Sequence, residues 1–282
     1  MKNTILVLGA TGNIGRLLIQ TLRDKNTDII AAVNQHPIEG VKTVSVDYSD
    51  TASLARAMQG VDTLFMLLPA HPDMVVWGKN IIAAAKQSSI KHIVRSSSQI
   101  AYSAETFDFM KSVRETDEDV VKSGIDYTIT LPQFFMQNLS TMMAADYRDG
   151  ALYLPAGDGE IGWVDVRDIA AVTAEILLNP SAYKNQRIVI SGSEALSYHE
   201  VVARMNEVLD KKSTYVPVSD EAAIEAMETN GFPAFFINVL MDLNRAVAQH
   251  RAATLSDSVK RITGKEPIAF REFVKDHRAC WV

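Results

Sequence analysis

The stretch ILVLGATGNIGRLL, residues 5–18, limits the folds open to this chain more than any other. It joins a continuous apolar run to a segment of helical periodicity through Gly9-x-x-Gly12-x-x-Gly15. Three spaced glycines alone are a weak signal. Three glycines that leave a strand and open a helix at once are a strong one. Each has its own physical reason. Gly9 permits the tight turn off the strand. Gly12 lets the backbone approach a pyrophosphate. Gly15 lets the helix pack closely on the strand. Backbone N–H groups of the loop and first helical turn, through Thr11, Asn13 and Ile14, then meet phosphate oxygens at the positive end of the helix dipole. The motif predicts a dinucleotide site.

The rest of the first half repeats the alternation. DIIAAVN, VKTVSVDYS, DTLFMLLP, KHIVRSSS and DYTITLP read as strands, separated by helical patterns such as MVVWGKNIIAAAKQSS. Continuous apolar strands are buried on both faces, which means a parallel sheet covered by helices on both sides. The fold class is α/β, a doubly wound parallel sheet (a Rossmann fold) with a smaller, mostly helical C-terminal lobe. The sequence places the dinucleotide-binding domain at residues 1–153, with a returning strand near 186–192, and a substrate-binding lobe at 154–282. In that second half FFMQNLSTMMAADYRDG reads as one helix, and Ser197-x-x-Glu200 as a capping box opening another. A ligand site is expected in the cleft between the strand ends and the lobe.

The bulk numbers remove several classes. The 282 residues are 47% apolar and 22% charged, with a net charge of −6. An acidic balance argues against nucleic acid or an anionic membrane surface as the main partner. No apolar run approaches the ~20 residues that span a bilayer. The single cysteine, Cys280, excludes an internal disulfide and a cysteine metal cluster, and the six histidines show no metal-ligand spacing. No metal is expected. A cytoplasmic monomer or homodimer acting on a small molecule is the default.

The end of the second strand ordinarily chooses between NAD and NADP, an acid for the ribose hydroxyls or an arginine for the 2′-phosphate. Here it reads Asn34, Gln35, His36, so neither signal is present and NADP or NAD remains open. Asn34 can bond a ribose hydroxyl. Asp47, ending the third strand, can accept from the adenine amino group or merely brace the turn before a helix capped by Asp50 or Thr51. Leu67 and Leu68 end the fourth strand, and Ser96 the fifth, where side chains would line the cofactor cleft.

Taken together, Gly9-Ala-Thr-Gly12-Asn-Ile-Gly15, VDYSDTASLARAMQGVDTLFML, GIDYTITLPQFFMQN and GWVDVRDIAAV resemble the NmrA-like branch of atypical short-chain dehydrogenases/reductases, over nearly the whole chain. The branch includes quinone and triphenylmethane reductases and redox-sensing regulators. The C-terminal VKRITGKEPIAFREFVKDHRACWV, with AGDGEIGWVDVRDIA, is similar to the subgroup of fungal festuclavine dehydrogenase. The resemblance implies a nicotinamide cofactor and leans toward NADP. Two departures stand out. Thr130-Leu131-Pro132 replaces the usual Leu-Arg-Pro, and Asn34 replaces a basic residue often found after the second strand.

Hydride transfer to a carbonyl also needs a proton donor, which a Tyr-x-x-x-Lys pair supplies in many such enzymes. This chain has Phe107-x-x-x-Lys111, so that relay cannot operate. Lys111 can anchor the nicotinamide ribose or donate a proton, and Ser97 is a second candidate donor. Iminium ions, quinones and cationic dyes accept hydride with little acid help, and a substrate of quinone, iminium or enal type is expected. Phe134, Phe135 and Trp163 are candidates for an apolar pocket around such a planar substrate. The sequence thus predicts an NAD(P)H-dependent reductase of a small electron-poor molecule. The alternative is a non-catalytic dinucleotide-sensing regulator with a protein partner.

Overall fold

The computed structural model describes residues 3–23, 25, 27–34, 36–102 and 107–282; Gln35 lies outside them. The chain forms two compact units, each drawn from three stretches. The first takes Met1–Ala101, Lys111–Leu131 and Ile169–Ile188; the second takes Tyr102–Met110, Pro132–Asp168 and Val189–Val282.

The first unit is built on β1 (Thr4–Val7), β2 (Asp28–Val33), β3 (Lys42–Ser45), β4 (Thr63–Met66), β5 (His92–Ser96) and β6 (Asp126–Pro132). Their spatial order is β3-β2-β1-β4-β5-β6, followed by the returning strand Gln186–Ile190. The pairings from β3 through to β6 are all parallel. Parallel neighbours need crossovers, and α1 (Asn13–Arg23), α2 (Thr51–Ala57), α3 (Met74–Lys86) and α4 (Asp108–Lys122) supply them. The chain steps outward from β1 to β3, then jumps back to β4 and proceeds the other way. That reversal between β1 and β4 is the switch point where an open α/β sheet takes its ligand.

Burial explains the elements. Ile5, Leu6, Val7 and Leu8 have no exposure at all, as do Leu64, Phe65 and Met66 of β4. In α1 the residues Ile14, Leu18, Ile19 and Leu22 face the core, while Arg16, Gln20 and Arg23 stay exposed. This is the apolar stripe of a surface helix. Truncating such a side chain, Leu18 for example, costs about 2–5 kcal/mol.

The second unit pairs Glu160–Ile161 with Leu196–Ser197 antiparallel, and Ala151–Leu154 with Thr214–Pro217 parallel. Among its most buried large side chains are Trp163, Tyr198, Phe270, Phe273 and Trp281. The capping box is present. Ser197 N–H donates to Glu200 Oε2 at 2.8 Å, and Glu200 N–H to Ser197 Oγ at 3.4 Å. The single helix read over residues 134–150 is instead two short ones, Gln137–Ser140 and Ala144–Arg148. Phe135 is held in a bridge to Val164, and Met136 N–H donates to Val164 O. The hydroxyls of Ser140 and Thr141 both donate back to Gln137 O, the local competition that ends helices.

Two buried ionisable groups act against each other in acid. His92 of β5 is 4% exposed; its Nε2 donates to Thr128 Oγ1 at 2.9 Å, since that hydroxyl itself donates to Tyr183 O. Burial lowers its pKa from 6.5 to about 4. Asp168 is 7% exposed and accepts from Ile268 N–H at 2.8 Å; burial raises its pKa from 3.8 to about 6. Between pH 4 and 6.5 the unfolded chain binds a proton at His92 that the folded chain refuses, so this contribution to stability falls as pH falls. Between pH 3.8 and 6 the folded chain binds a proton at Asp168 that the unfolded chain does not, so that contribution rises as pH falls. Each amounts to about 3 kcal/mol at most. Thermal denaturation across this window is the check. His92→Gln should flatten the acid loss of stability, whereas Asp168→Asn should steepen it and raise stability above pH 6.

Candidate cofactor site

The glycine loop leaves β1 and enters α1 in the tightest way the backbone allows. Gly9 has φ +71°, and a Cβ there would lie 3.1 Å from Leu67 O, just past β4. A Cβ on Gly15 would lie 2.2 Å from Gly9 O and 2.8 Å from Ala10 Cα, an impossible contact. A Cβ on Gly12 would meet only Gly9 O, at 3.4 Å, which is ordinary packing. Gly9 and Gly15 are therefore required by the loop itself. Gly12 is not, and its bare Cα fits a close-lying ligand.

Thr11, Gly12 and Asn13 are exposed, whereas Ile14 and Gly15 are buried. Gly12 N–H donates to Gly9 O at 3.1 Å. Among the described residues, the N–H groups of Asn13, Ile14 and Gly15 have no acceptor in the protein. These are the orphan donors of a helix start, and α1 carries no acidic residue in its first turn to satisfy them. The donor set fits the phosphates of a dinucleotide.

Beside the loop lies a cleft of about 410 Å³ lined by Gly9, Thr11, Ala32, Val33, Asn34, Val46, Asp47, Tyr48, Pro69 and Trp77. Asn34 and Asp47, from the ends of β2 and β3, are both exposed here. Asp47 Oδ1 accepts from Ser49 N–H at 2.8 Å and Ser49 Oγ at 2.7 Å. These bonds hold its carboxyl below the usual range. The turn-bracing contacts are thus made, and Asp50 caps α2 by accepting from Ala52 N–H at 2.8 Å.

Tyr48 and Trp77 complete the cleft, and no sequence signal singles them out. Tyr48 follows Asp47 directly, but Trp77 lies in a helix whose periodicity says only that one face is buried. Their ring centroids are 5.7 Å apart, and His71 stacks on Trp77 at 4.1 Å and 18°. Asn80 of α3 donates to Tyr48 O at 3.1 Å. Burial raises the Tyr48 phenol pKa against a backbone hydrogen bond from Gly9, so its hydroxyl touches the glycine loop.

Toward the other side of the switch point, Leu67 is half-buried and Leu68 buried. Ser96, at the end of β5, is 2% exposed, and among the described residues its Oγ has no partner. Ser97 donates its hydroxyl proton to Asp117 Oδ2. Phe107 precedes α4 by one residue, and Lys111 is exposed in its first turn. In the second unit Phe134 and Phe135 are half-buried. Trp163 is 1% exposed, with its indole N–H donating to Leu196 O at 3.0 Å and its ring 5.5 Å from Tyr198. Among the described residues no helix is long and apolar enough to cross a membrane.

A doubly wound sheet with a glycine turn at β1, open amides at α1 and a cleft over β2 and β3 defines a dinucleotide-binding protein of the Rossmann class. Residues 1–273 match the NmrA-like family, and the chain belongs to it. It is 32% identical to the NAD(P)H azoreductase of Xenophilus azovorans, covering 98% of this chain and 99% of that protein. It is 24% identical to festuclavine dehydrogenase of Aspergillus fumigatus, over 99% of each. The solved triphenylmethane reductase of Citrobacter sp. in complex with NADP(H) superposes with a TM-score of 0.87 at 25% identity, covering 97% of this chain and 99% of that one.

The separate roles of the glycines are testable. Gly12→Ala should fold with nearly unchanged melting temperature and lose most of its affinity for a dinucleotide, read by titration. Gly15→Ala should lose stability first, by several kcal/mol, as overpacking against backbone does.

Proposed function

We infer that this chain is a cytoplasmic NAD(P)H-dependent reductase of a small, planar, electron-poor molecule. The observation that carries the reading is the glycine loop, whose free amides and Cβ-free face suit a pyrophosphate, in a chain similar along its whole length to a protein named NAD(P)H azoreductase. When bound, a reduced nicotinamide cofactor supplies the hydride. The amides of Asn13, Ile14 and Gly15 hold its phosphates, and Asn34 and Asp47 hold the adenosine half among Tyr48, Pro69 and Trp77. Leu67, Leu68 and Ser96 adjoin the other half. Lys111 anchors the nicotinamide ribose. Phe134, Phe135 and Trp163 are the proposed substrate-side residues of the second unit.

Phe107 has no proton to give. The chemistry that fits is hydride transfer to an acceptor whose product needs little acid help, a triphenylmethane dye, a quinone or an iminium ion; an azo dye, whose second nitrogen must take a proton, would draw it from water. Asn34 stands where an acid would select NAD and does not itself exclude a 2′-phosphate, so NADPH is the first cofactor to try and NADH the comparison.

Purified protein should oxidise NADPH or NADH in the presence of at least one acceptor of these types. Phe107→Tyr should leave cofactor affinity nearly unchanged. Tight binding of the cofactor with no turnover on any of the four acceptor types would overturn the reading in favour of a dinucleotide-sensing regulator.

A further inference from the structure

The hydroxyl of Ser97 is oriented by a buried ion pair. Arg95, within β5, is 2% exposed, and Asp117, in the middle of α4, has no exposure. Arg95 Nε donates to Asp117 Oδ1 at 3.2 Å, and Arg95 Nη1 donates to Ser96 O at 2.6 Å. The other carboxylate oxygen, Oδ2, accepts the Ser97 hydroxyl proton. The Ser97 backbone is pinned as well, its N–H donating to Thr130 O at 2.9 Å. A buried carboxylate is a strong acceptor, and a serine has one proton. Ser97 therefore presents only lone pairs to anything else that meets it.

The sheet order says what that is. The cleft lined by Asn34 and Asp47 lies over β2 and β3, on one side of the switch point. A dinucleotide whose phosphates rest on the glycine loop after β1, and whose adenosine fills that cleft, must lay its other half over the ends of β4 and β5. Ser97 is the first residue beyond β5. We propose that Ser97 is a hydrogen-bond acceptor for the carboxamide N–H of the nicotinamide, with Asp117 and Arg95 as the positioning residues that fix this polarity. The proposal rests on the reductase reading. It makes Ser97 a cofactor-binding group that receives a hydrogen bond and withholds its proton from the substrate.

The test compares two ligands that differ at this one group. NADP⁺ carries a carboxamide; its 3-acetylpyridine analogue carries a methyl ketone with no N–H. The corresponding NAD⁺ pair is run alongside. Wild-type protein should prefer the carboxamide by about two- to ten-fold, the range of one hydrogen bond. Ser97→Ala leaves the Arg95–Asp117 pair in place. It should bring the ratio to one while ADP-ribose affinity stays unchanged, and Ser97→Thr should restore the preference. In Asp117→Asn the amide oxygen goes to Arg95 and the NH₂ faces Ser97. The serine must then accept from it and turn its proton outward, so the ratio should fall to one or below. A purely structural role for Asp117 would weaken both ligands equally. A wild-type ratio near one, or an unchanged ratio in Ser97→Ala, overturns the assignment alone. Failure to bind either dinucleotide overturns the reductase reading and this assignment with it.

Discussion

Everything the first unit offers a ligand depends on one close approach, that of Gly15 to the carbonyl oxygen of Gly9. No side-chain atom can stand between them, since a Cβ would lie 2.2 Å from that oxygen. With the helix drawn this close to the turn, its opening N–H groups converge above the end of β1, beside the switch point of the sheet order. A wider turn would move that anion-binding point away from the switch point, and the cleft over β2 and β3 would lose its connection to the ends of β4 and β5. The loop is thus a packing constraint first and a binding site in consequence. Gly12 is the exception, because among the described residues a Cβ there would meet Gly9 O alone, at an ordinary 3.4 Å.

The parts of this architecture written in local sequence are those governed by periodicity and by glycine. Buried parallel strands are continuous apolar runs, and Ile5–Leu8 and Leu64–Met66 read as such because both faces are covered. The capping box at Ser197 is legible because its two bonds need particular residues at a fixed spacing. The glycine turn is legible for the same reason. Asn34 and Asp47 were placed at strand ends by counting, and both line the cleft.

What stayed illegible depends on contacts between distant residues. Trp77 looks like an ordinary helix residue until Tyr48, in the turn after β3, is brought against it. The late start of the helix at Gln137 follows from a bridge between Phe135 and Val164, 29 positions apart. The two units each gather three stretches of chain, and only contacts between those stretches define them. Ser97 shows the limit most plainly. The sequence offers it as a hydroxyl and therefore as a possible donor. Only the placement of Asp117, twenty positions away on α4, decides which way its proton points.

The reductase reading favours a chemistry that asks little of a protein acid. Phe107 stands where a phenol would be, and the Ser97 hydroxyl, one residue beyond β5, gives its proton to a buried carboxylate. An acceptor that is already cationic needs no proton at all: hydride converts a triphenylmethane dye directly to its neutral product. The most direct measurement is therefore a single turnover of such a dye with cofactor carrying deuterium at the transferred position. The account requires deuterium in the product, a slower transfer than with hydrogen, and a rate that stays flat with pH. A rate that falls as a single acid is titrated, or a bound cofactor that is never oxidised by any such acceptor, would contradict it.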